Sequence, residues 1–251
     1  MDSFSLAGKV AIVTGSGTGL GQGMALALAE AGADIVGVGR REQSETRALI
    51  ETTGRTFLAV TADLTKTEPI SSIVEQTVAA FGQVDILVNN AGTIRRDEAL
   101  DFTEKDWDEV LDLNLKTVFF FCQAVAKQFI KQKTGGKIIN IASMLSFQGG
   151  IRVPSYTASK SGVLGITRLL ANEWAKYNIN VNAIAPGYMV SDNTAPLWAD
   201  DKRNAEILAR IPAGRWGVPR DLGGPVVFLA SAASDYLHGH TLAVDGGWLA
   251  R

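Results

Sequence analysis

The most constraining feature of the chain is a short β-branched run followed at once by a glycine-rich turn and a helical pattern. Lys9 to Thr14 read K-V-A-I-V-T, which is typical of a buried strand. Gly15 to Gly21 read G-S-G-T-G-L-G and precede apolar residues spaced as on one face of a helix. A strand, a glycine-rich turn and a helix start in this order are the context of a dinucleotide-binding fingerprint. The order therefore favours an α/β fold with a nucleotide at the end of the first strand.

The glycine spacing in this turn differs from the common fingerprint. Gly15, Gly19 and Gly21 give G-x-x-x-G-x-G, whereas the common pattern is G-x-G-x-x-G. Glycines let the backbone approach a pyrophosphate, and the helix N-terminus offers free N–H groups and a partial positive charge. A glycine-rich loop can also be only a tight turn, but the strand and helix on either side favour cofactor binding.

Further strand-like runs alternate with helical patterns along the rest of the chain. The runs lie at 35–38, 56–61, 84–88, 138–141, 179–184 and 241–244, and helices are predicted at 104–131, 155–176 and 221–232 among others. This alternation predicts right-handed crossovers and a parallel sheet. We expect an α/β, Rossmann-type doubly wound parallel sheet of about seven strands with helices on both faces.

One segment, at about 188–216, breaks this rhythm and has a short helical piece near 200–209. An insertion at this point of an α/β sheet is typical of a substrate lid. The sequence has no linker, repeat or low-complexity stretch, so a single domain over 1–251 is predicted.

Composition narrows the classes of function. The net charge of −2 gives no global attraction to nucleic acid or an anionic membrane. The single cysteine, Cys122, fits a reducing compartment, and with His238 and His240 as the only histidines no metal site is expected. The chain has no signal-peptide pattern and no apolar run of the roughly 20 residues needed to cross a bilayer. A cytoplasmic protein without a membrane partner is predicted.

Candidate catalytic residues lie between Ser143 and Lys160. On a helix, Tyr156 and Lys160 are one turn apart on the same face. A lysine ammonium beside a phenol favours the phenolate, which makes the tyrosine a better base near neutral pH. Ser143 can supply a hydroxyl to a substrate oxygen that Tyr156 also contacts. Y-x-x-x-K alone is a weak signal, and its alternative is a surface helix with a solvated lysine.

Polar residues follow several predicted strands, where parallel sheets bind ligands. Asn89-Asn90-Ala91-Gly92 ends the fourth strand, and it is either a bend that ties strand ends or an ordinary turn. Asn114 falls on the apolar stripe of the predicted helix 104–131. A buried amide needs hydrogen-bond partners, so Asn114 either caps a strand end or faces a polar site.

The end of the second strand bears on cofactor choice. A carboxylate there would bind the 2′-hydroxyl of NAD, whereas an arginine suits the 2′-phosphate of NADP. The chain has Gly39 followed by Arg40 and Arg41, which indicates that NADP is tolerated. The alternative is that both arginines are solvated residues at a helix start.

These motifs together resemble the classical branch of the short-chain dehydrogenase/reductase family, over essentially all 251 residues. The matching motifs are T14-G-x-x-x-G-x-G21, Asp63, N89-N-A-G92, Asn114, Ser143, Y156-x-x-x-K160 and P186-G187. The resemblance implies an NAD(P)-dependent oxidoreductase acting on CH–OH groups, assembled as a homotetramer.

The resemblance also implies a set of cofactor-binding residues. These are Gly15, Thr18, Gly19, Leu20, Gly21, Arg40, Asp63, Leu64, Asn90, Ala91, Gly92, Tyr156, Lys160, Pro186, Gly187 and Met189. Tyr156 would be the acid/base and Ser143 would orient the carbonyl. Lys160 would bind the nicotinamide ribose and lower the pKa of Tyr156, and Asn114 would hold a water that relays protons.

Three stretches, 91–96, 143–156 and 210–217, resemble a narrower bacterial group within this family. Its members interconvert a 2,5-diketo hexonate and 2-keto-3-deoxygluconate during pectin or alginate breakdown, chiefly with NAD(H). This resemblance favours NAD(H), while Arg40 leaves NADP(H) open. It implies a small sugar-acid substrate and no nucleic-acid partner.

Arginines near the predicted site suit an acidic substrate, because a guanidinium pairs well with a carboxylate. Arg95, Arg96 and Arg152 flank the expected pocket, and Arg215 lies at the base of the lid. We predict that Arg152 binds the substrate carboxylate, with Arg96 as the second candidate. The predicted substrate-binding set is Arg96, Ser143, Gln148, Arg152 and Tyr156. The alternative is that two or three of the four arginines form structural salt bridges.

Other functions remain open on the same sequence. A 3-oxoacyl-carrier-protein reductase or a gluconate 5-dehydrogenase would keep the fold and change the substrate. The arginines beside the catalytic loop favour a small anion over an acyl chain. A non-catalytic nucleotide-sensing protein is the alternative of another class, and the complete set of Asn114, Ser143, Tyr156 and Lys160 argues against it.

Overall fold

A computed structural model describes residues 3–251 of the chain. The strands are β1 (Val10–Thr14), β2 (Asp34–Gly39), β3 (Phe57–Thr61), β4 (Ile86–Asn89), β5 (Gly136–Ile141), β6 (Ile179–Pro186) and β7 (Thr241–Val244). Within the described residues they form one seven-stranded sheet in the order β3-β2-β1-β4-β5-β6-β7. Every neighbouring pair is parallel, which confirms the predicted fold class.

Helices follow most of the strands. They are α1 (Gly19–Glu30), α2 (Ser44–Glu51), α3 (Pro69–Phe81), α4 (Glu104–Leu111), α5 (Thr117–Gln132), α6 (Pro154–Trp174), α7 (Ala195–Trp198), α8 (Asp201–Arg210) and α9 (Gly223–Ala230). Residues of α3, α5 and α6 pack in one core cluster with the sheet, and residues of α1, α2 and α9 pack in another. The sheet is therefore covered on both faces.

The alternation of side chains along β1 explains how both clusters form. Ile12 packs in the cluster that contains Phe121, whereas its neighbour Val13 packs in the cluster that contains Met24 and Leu28. Successive side chains of a strand point to opposite faces, and here all of them are buried. This is why the strand reads as a continuous apolar run.

The predicted continuous helix over 104–131 is wrong in one respect. A π-helical segment, Asp112–Lys116, separates α4 from α5. The Thr117 N–H donates to the carbonyl oxygen of Asp112, five residues earlier, where an α-helix would bond four residues back. In this wider turn Asn114 points inward. Its side-chain amide forms hydrogen bonds with the backbone of Thr93. Such π turns are frequent at functional sites.

The strand order places the switch point of the sheet between β1 and β4, and ligands of open α/β sheets bind beside such points. The predicted lid lies at this edge. Its two ends are joined by a parallel bridge between Met189 and Gly217, with Gly217 N–H donating to Tyr188 O at 2.9 Å. α7 and α8 lie between these ends.

No helix within residues 3–251 is long and apolar enough to span a membrane.

Candidate active site

A cleft of about 450 Å³ opens at the carboxyl edge of the sheet. It is bordered by the glycine-rich turn, by the ends of β2, β3 and β4, by α6 and by lid residues 191–194. All of the predicted cofactor-binding residues line it, from Gly15 in the turn to Met189 at the lid base. The structure therefore brings together residues that are up to 174 positions apart in the chain, since Gly15 and Met189 share one cavity.

The glycine-rich turn leaves room for a ligand backbone to approach. Gly15 has a φ of +66°, and a Cβ placed there would lie 3.0 Å from the Asn90 Nδ2. A Cβ at Gly21 would collide with the carbonyl oxygen of Gly15. Both positions thus require glycine. The first N–H groups of α1 border the cleft at Gly19 and Leu20, and this cradle fits the pyrophosphate of a dinucleotide.

Asn90 ties the ends of the two central strands. Its Nδ2 donates to the Thr14 carbonyl oxygen at 2.9 Å, and the Thr14 hydroxyl accepts N–H bonds from Asn90 and Ala91 at 2.9 Å each. These bonds hold the glycine-rich turn against the end of β4. The predicted bend at Asn89-Asn90-Ala91-Gly92 is therefore a structural tie that also borders the cleft.

The turn after β2 is held by a buried glutamine that the sequence analysis did not single out. Gln43 Nε2 donates to the Gly37 carbonyl oxygen at 3.0 Å, and its Oε1 accepts from the Ser16 hydroxyl. Arg40 and Arg41 lie between Gly37 and Gln43 in the chain, and both line the cleft. Hydrogen bonds from Thr65 lower the pKa of Asp63, and the charge of Arg40, which lines the same cleft, lowers it further.

Lys160 is buried beneath the cleft. Its Nζ donates to the Ile141 carbonyl oxygen at 2.6 Å and lies 5.7 Å from the centroid of the Tyr156 ring. Burial lowers the pKa of Lys160 to about 8. The α-helical spacing predicted for Tyr156 and Lys160 is present, because both lie on α6.

Tyr156 lies beside Ser143 at the end of β5. Burial raises the pKa of Tyr156, while a hydrogen bond from the Ser143 hydroxyl and the charge of Arg96 lower it. Ser143 Oγ also accepts the Leu145 N–H at 3.1 Å, which fixes the hydroxyl at the start of a short 3₁₀ turn. Ser143, Tyr156 and Lys160 thus meet at one end of the cleft. They can hold or move a proton at an oxygen bound between them.

Asn114 is fully buried in the π segment. Its Oδ1 accepts the Thr93 N–H and its Nδ2 donates to the Thr93 carbonyl oxygen, both at 2.9 Å. Nδ2 also lies 3.3 Å from the Ser159 hydroxyl oxygen, next to Lys160 in the chain. These bonds join the loop after β4 to α6. The predicted water relay from Lys160 through Asn114 stays a prediction.

The four arginines differ in their partners. Arg95 pairs with Glu109, Arg152 with Glu98 at 3.1 Å, and Arg215 with Asp221 at 2.7 Å. The alternative of structural salt bridges therefore holds for these three. Arg96 instead donates to the carbonyl oxygen of Asn193 in the lid at 2.8 Å. Partial burial lowers the pKa of Arg96, while nearby Tyr156 and Tyr188 favour its charged form.

Of the predicted substrate-binding residues, Ser143 and Tyr156 line the cleft. Arg96 acts on Tyr156 electrostatically, whereas Arg152 is exposed, has a left-handed φ of +62° and is engaged with Glu98. Gln148 accepts a hydrogen bond from the Trp248 indole. Trp248 is therefore a neighbour of the site that no sequence motif predicts.

Comparisons with known proteins agree with this geometry. A family model described as enoyl-(acyl carrier protein) reductase matches residues 15–249. The 2-dehydro-3-deoxy-D-gluconate 5-dehydrogenase of Escherichia coli is 68% identical, covering 100% of this chain and 99% of the relative. The enzyme of the same name from Bacillus subtilis is 56% identical, covering 100% and 98%.

Several of the similar solved structures contain NADP. One from Agrobacterium tumefaciens is 55% identical, with a TM-score of 0.94 and full coverage of both chains. A gluconate 5-dehydrogenase from Burkholderia cenocepacia, in complex with NADP and tartrate, is 38% identical with a TM-score of 0.94, covering 100% of this chain and 98% of that one.

Proposed function

The chain belongs to the short-chain dehydrogenase/reductase family, and from this we propose that it oxidises and reduces a keto-deoxy sugar acid with NAD(P). The relatives that are 68% and 56% identical are named for 2-dehydro-3-deoxy-D-gluconate. The proposed pair is this compound and its oxidised form, 3-deoxy-D-glycero-2,5-hexodiulosonate, in hexuronate breakdown. The observation that supports this most directly is the meeting of Ser143, Tyr156 and Lys160 beside a cleft that fits a dinucleotide.

The side chains of the site carry out the proton transfer of the reaction. The nicotinamide, when bound, supplies or accepts the hydride. In reduction, Tyr156 gives its phenolic proton to the carbonyl oxygen, and in oxidation it takes the hydroxyl proton. Ser143 donates to the same oxygen and orients it. Lys160 is placed by Ile141 beneath the ring, where its charge favours the phenolate that forms.

The substrate carboxylate binds Arg96 in this proposal. Among residues 3–251, Arg96 is the only one of the four candidate arginines without a carboxylate partner. Its charge favours the ionised form of Tyr156, and its side chain donates to Asn193, a residue that lines the cleft. Arg152, the first candidate from the sequence, pairs through its Nε with Glu98 at 3.1 Å, and both side chains are exposed. A substrate carboxylate at Arg152 would compete with that partner.

Both cofactors are accepted in this proposal. The resemblance to the keto-deoxy sugar-acid group favours NAD(H), while Arg40 lines the cleft and can bind a 2′-phosphate. The NADP in the similar solved structures agrees with a phosphate-binding role for Arg40.

We also propose that the protein is a homotetramer and lies in the cytoplasm. α5 and α6 present Phe120, Ile130 and Leu169 at 40%, 42% and 47% exposure, which is apolar surface that a second copy can cover. The lone thiol, Cys122, is buried and suits a reducing compartment.

A substrate screen tests the proposed reaction. The purified protein is mixed with 2-dehydro-3-deoxy-D-gluconate, 5-keto-D-gluconate or an acetoacetyl thioester, each with both nicotinamide cofactors, and nicotinamide absorbance is followed. We expect the highest kcat/KM with the keto-deoxy acid. Turnover of the thioester alone would identify an acyl reductase, and absence of turnover with every substrate would indicate a nucleotide-sensing protein.

A further inference from the structure

The chain ends in a tightly fixed turn that places a tryptophan against the active site. Asp245 follows β7, and its Oδ1 and Oδ2 accept the N–H groups of Gly247 and Leu249 at 2.9 Å each. Gly246 and Gly247 have φ values of +64° and +90°, which glycine tolerates. Trp248 is consequently held in place, and it is 6% exposed.

The Trp248 ring packs between the lid and the catalytic loop, which we define as residues 143–156. Its centroid lies 4.8 Å from that of Tyr188, and the Arg210 guanidinium lies 4.0 Å from it. The same apolar cluster contains Met144 of the catalytic loop and Trp216 at the far end of the lid. The Trp248 ring therefore packs against Tyr188 at the start of the lid and shares a cluster with Met144 of the catalytic loop.

A hydrogen bond from Trp248 also sets the orientation of the Gln148 side-chain amide. The Trp248 Nε1–H donates to Gln148 Oε1 at 3.0 Å, and Gln148 is in the catalytic loop. Because an indole nitrogen can only donate, the amide oxygen of Gln148 must face Trp248. The amide nitrogen then points away from Trp248. Gln148 is half-buried, and within residues 3–251 this nitrogen donates to no protein group, so its two N–H donors are available to a ligand.

We propose that Trp248 is a positioning residue that fixes Gln148 as a hydrogen-bond donor to the acidic substrate and holds the lid against the catalytic loop. The inference rests on the proposed function, since a donor is useful where the ligand carries carboxylate and keto oxygens. Trp248 then acts in substrate recognition and not in proton transfer. Replacing Trp248 should therefore change KM more than kcat.

Trp248→Phe tests the hydrogen bond while keeping an aromatic ring against Tyr188 and Arg210. Loss of the N–H leaves the Gln148 amide free to rotate, and we expect KM for the keto acid to rise about 10-fold. The dissociation constant of the cofactor should not change, and kcat should fall less than KM rises. Trp198→Phe is the matched control, because Trp198 is an exposed lid tryptophan.

Gln148→Glu tests whether the Gln148 amide donates to the substrate or only packs against Trp248. A glutamate still accepts from Trp248 but replaces the N–H donors with a negative charge. We expect a larger rise in KM for the acid than in Trp248→Phe, and a smaller one for a neutral analogue of the same carbon skeleton. Equal rises for both substrates would contradict the donor role of Gln148.

A double variant decides whether the two residues act as one unit. Trp248→Phe combined with Gln148→Leu should raise KM no more than the larger of the two single changes. Rises that multiply, or an unchanged KM in Trp248→Phe, would overturn the inference. If the wild-type enzyme turns over no keto acid, the proposed function fails. If the wild type turns over the keto acid and Trp248→Phe keeps its KM, only this inference fails.

Discussion

Lys160 Nζ lies 5.7 Å from the centroid of the Tyr156 ring, one helical turn along α6. Burial acts on the two groups in opposite directions, because it disfavours the charged form of each. It lowers the pKa of Lys160 to about 8 and raises the pKa of Tyr156. Groups that favour the phenolate must therefore offset the burial of the ring. Ser143 and Arg96 act in that direction but offset the burial only in part, and the pKa of Tyr156 stays above its ordinary value.

Lys160→Met is expected to abolish turnover and to change how stability depends on pH. The ordinary pKa of lysine is 10.5, whereas folded Lys160 titrates near 8. Between these values the unfolded chain binds more protons, so the contribution of Lys160 to stability increases as pH rises through this window. Without Lys160 that increase should be absent. Denaturant unfolding across the window measures it, with Lys105→Met as an exposed control. An unchanged pH dependence in Lys160→Met would contradict the assignment.

Tyr156→Phe should remove nearly all turnover and leave cofactor binding intact. The change deletes only the phenolic oxygen, and losing a general acid/base typically lowers the rate by about 10²–10⁴-fold. Single-turnover rates and cofactor fluorescence titrations measure the two effects. Tyr177→Phe serves as the control, because Tyr177 is exposed at the C-terminal end of the same helical region. A Tyr156→Phe enzyme that kept about a tenth of the rate would exclude Tyr156 as the proton donor.

Arg40→Asp should weaken NADP binding and leave NAD binding similar or stronger. A charge-assisted phosphate contact contributes about 1–3 kcal/mol, and a carboxylate at this position would instead accept from the ribose hydroxyl of NAD. Dissociation constants for the two cofactors give the comparison directly. Arg41→Asp is the matched variant, since Arg41 lines the same end of the cleft. Equal losses for both cofactors in Arg40→Asp would show that Arg40 supports the fold of the turn.

Leu169→Glu should dissociate the proposed tetramer. Leu169 is 47% exposed on α6 and borders a groove with Phe119, Ile130 and Trp174. A buried charge without a partner disfavours association. Sedimentation velocity of wild type and variant measures the assembly, with Leu100→Glu as the control because Leu100 is 98% exposed in a loop. A wild-type protein that sediments as a monomer at micromolar concentration would rule the tetramer out.

Local patterns explain which parts of the site the sequence predicted. Gly15, Gly19 and Gly21 act through their own backbone, and Tyr156 and Lys160 are joined by helical spacing, so their positions follow from a few neighbouring residues. The order of strands and helices likewise fixed a parallel sheet, because each crossover has one favoured hand.

Contacts between distant residues explain what the sequence did not predict. Gln148 and Trp248 are 100 residues apart, and only the folded chain brings the indole to the amide. The pairing of Arg152 with Glu98 also depends on how two loops meet. The π segment and the bonds of its Asn114 to Thr93 are also not revealed by a 3.6-residue periodicity.

Arg96→Ala provides the sharpest test of the substrate. Arg96 links the loop after β4 to Asn193, which lines the cleft, so its guanidinium can hold a carboxylate at this edge of the site. We expect kcat/KM for the keto-deoxy acid to fall at least about 10-fold, and for a neutral analogue to fall much less, because a charged hydrogen bond contributes about 1.5–3 kcal/mol. Arg96→Lys should recover only part of the loss, since an ammonium lacks the planar fork. Arg152→Ala is the matched control and should change the ratio of acid to neutral turnover little, because Glu98 already pairs with Arg152. If Arg152→Ala lowers that ratio and Arg96→Ala does not, the carboxylate binds at Arg152 and competes there with Glu98.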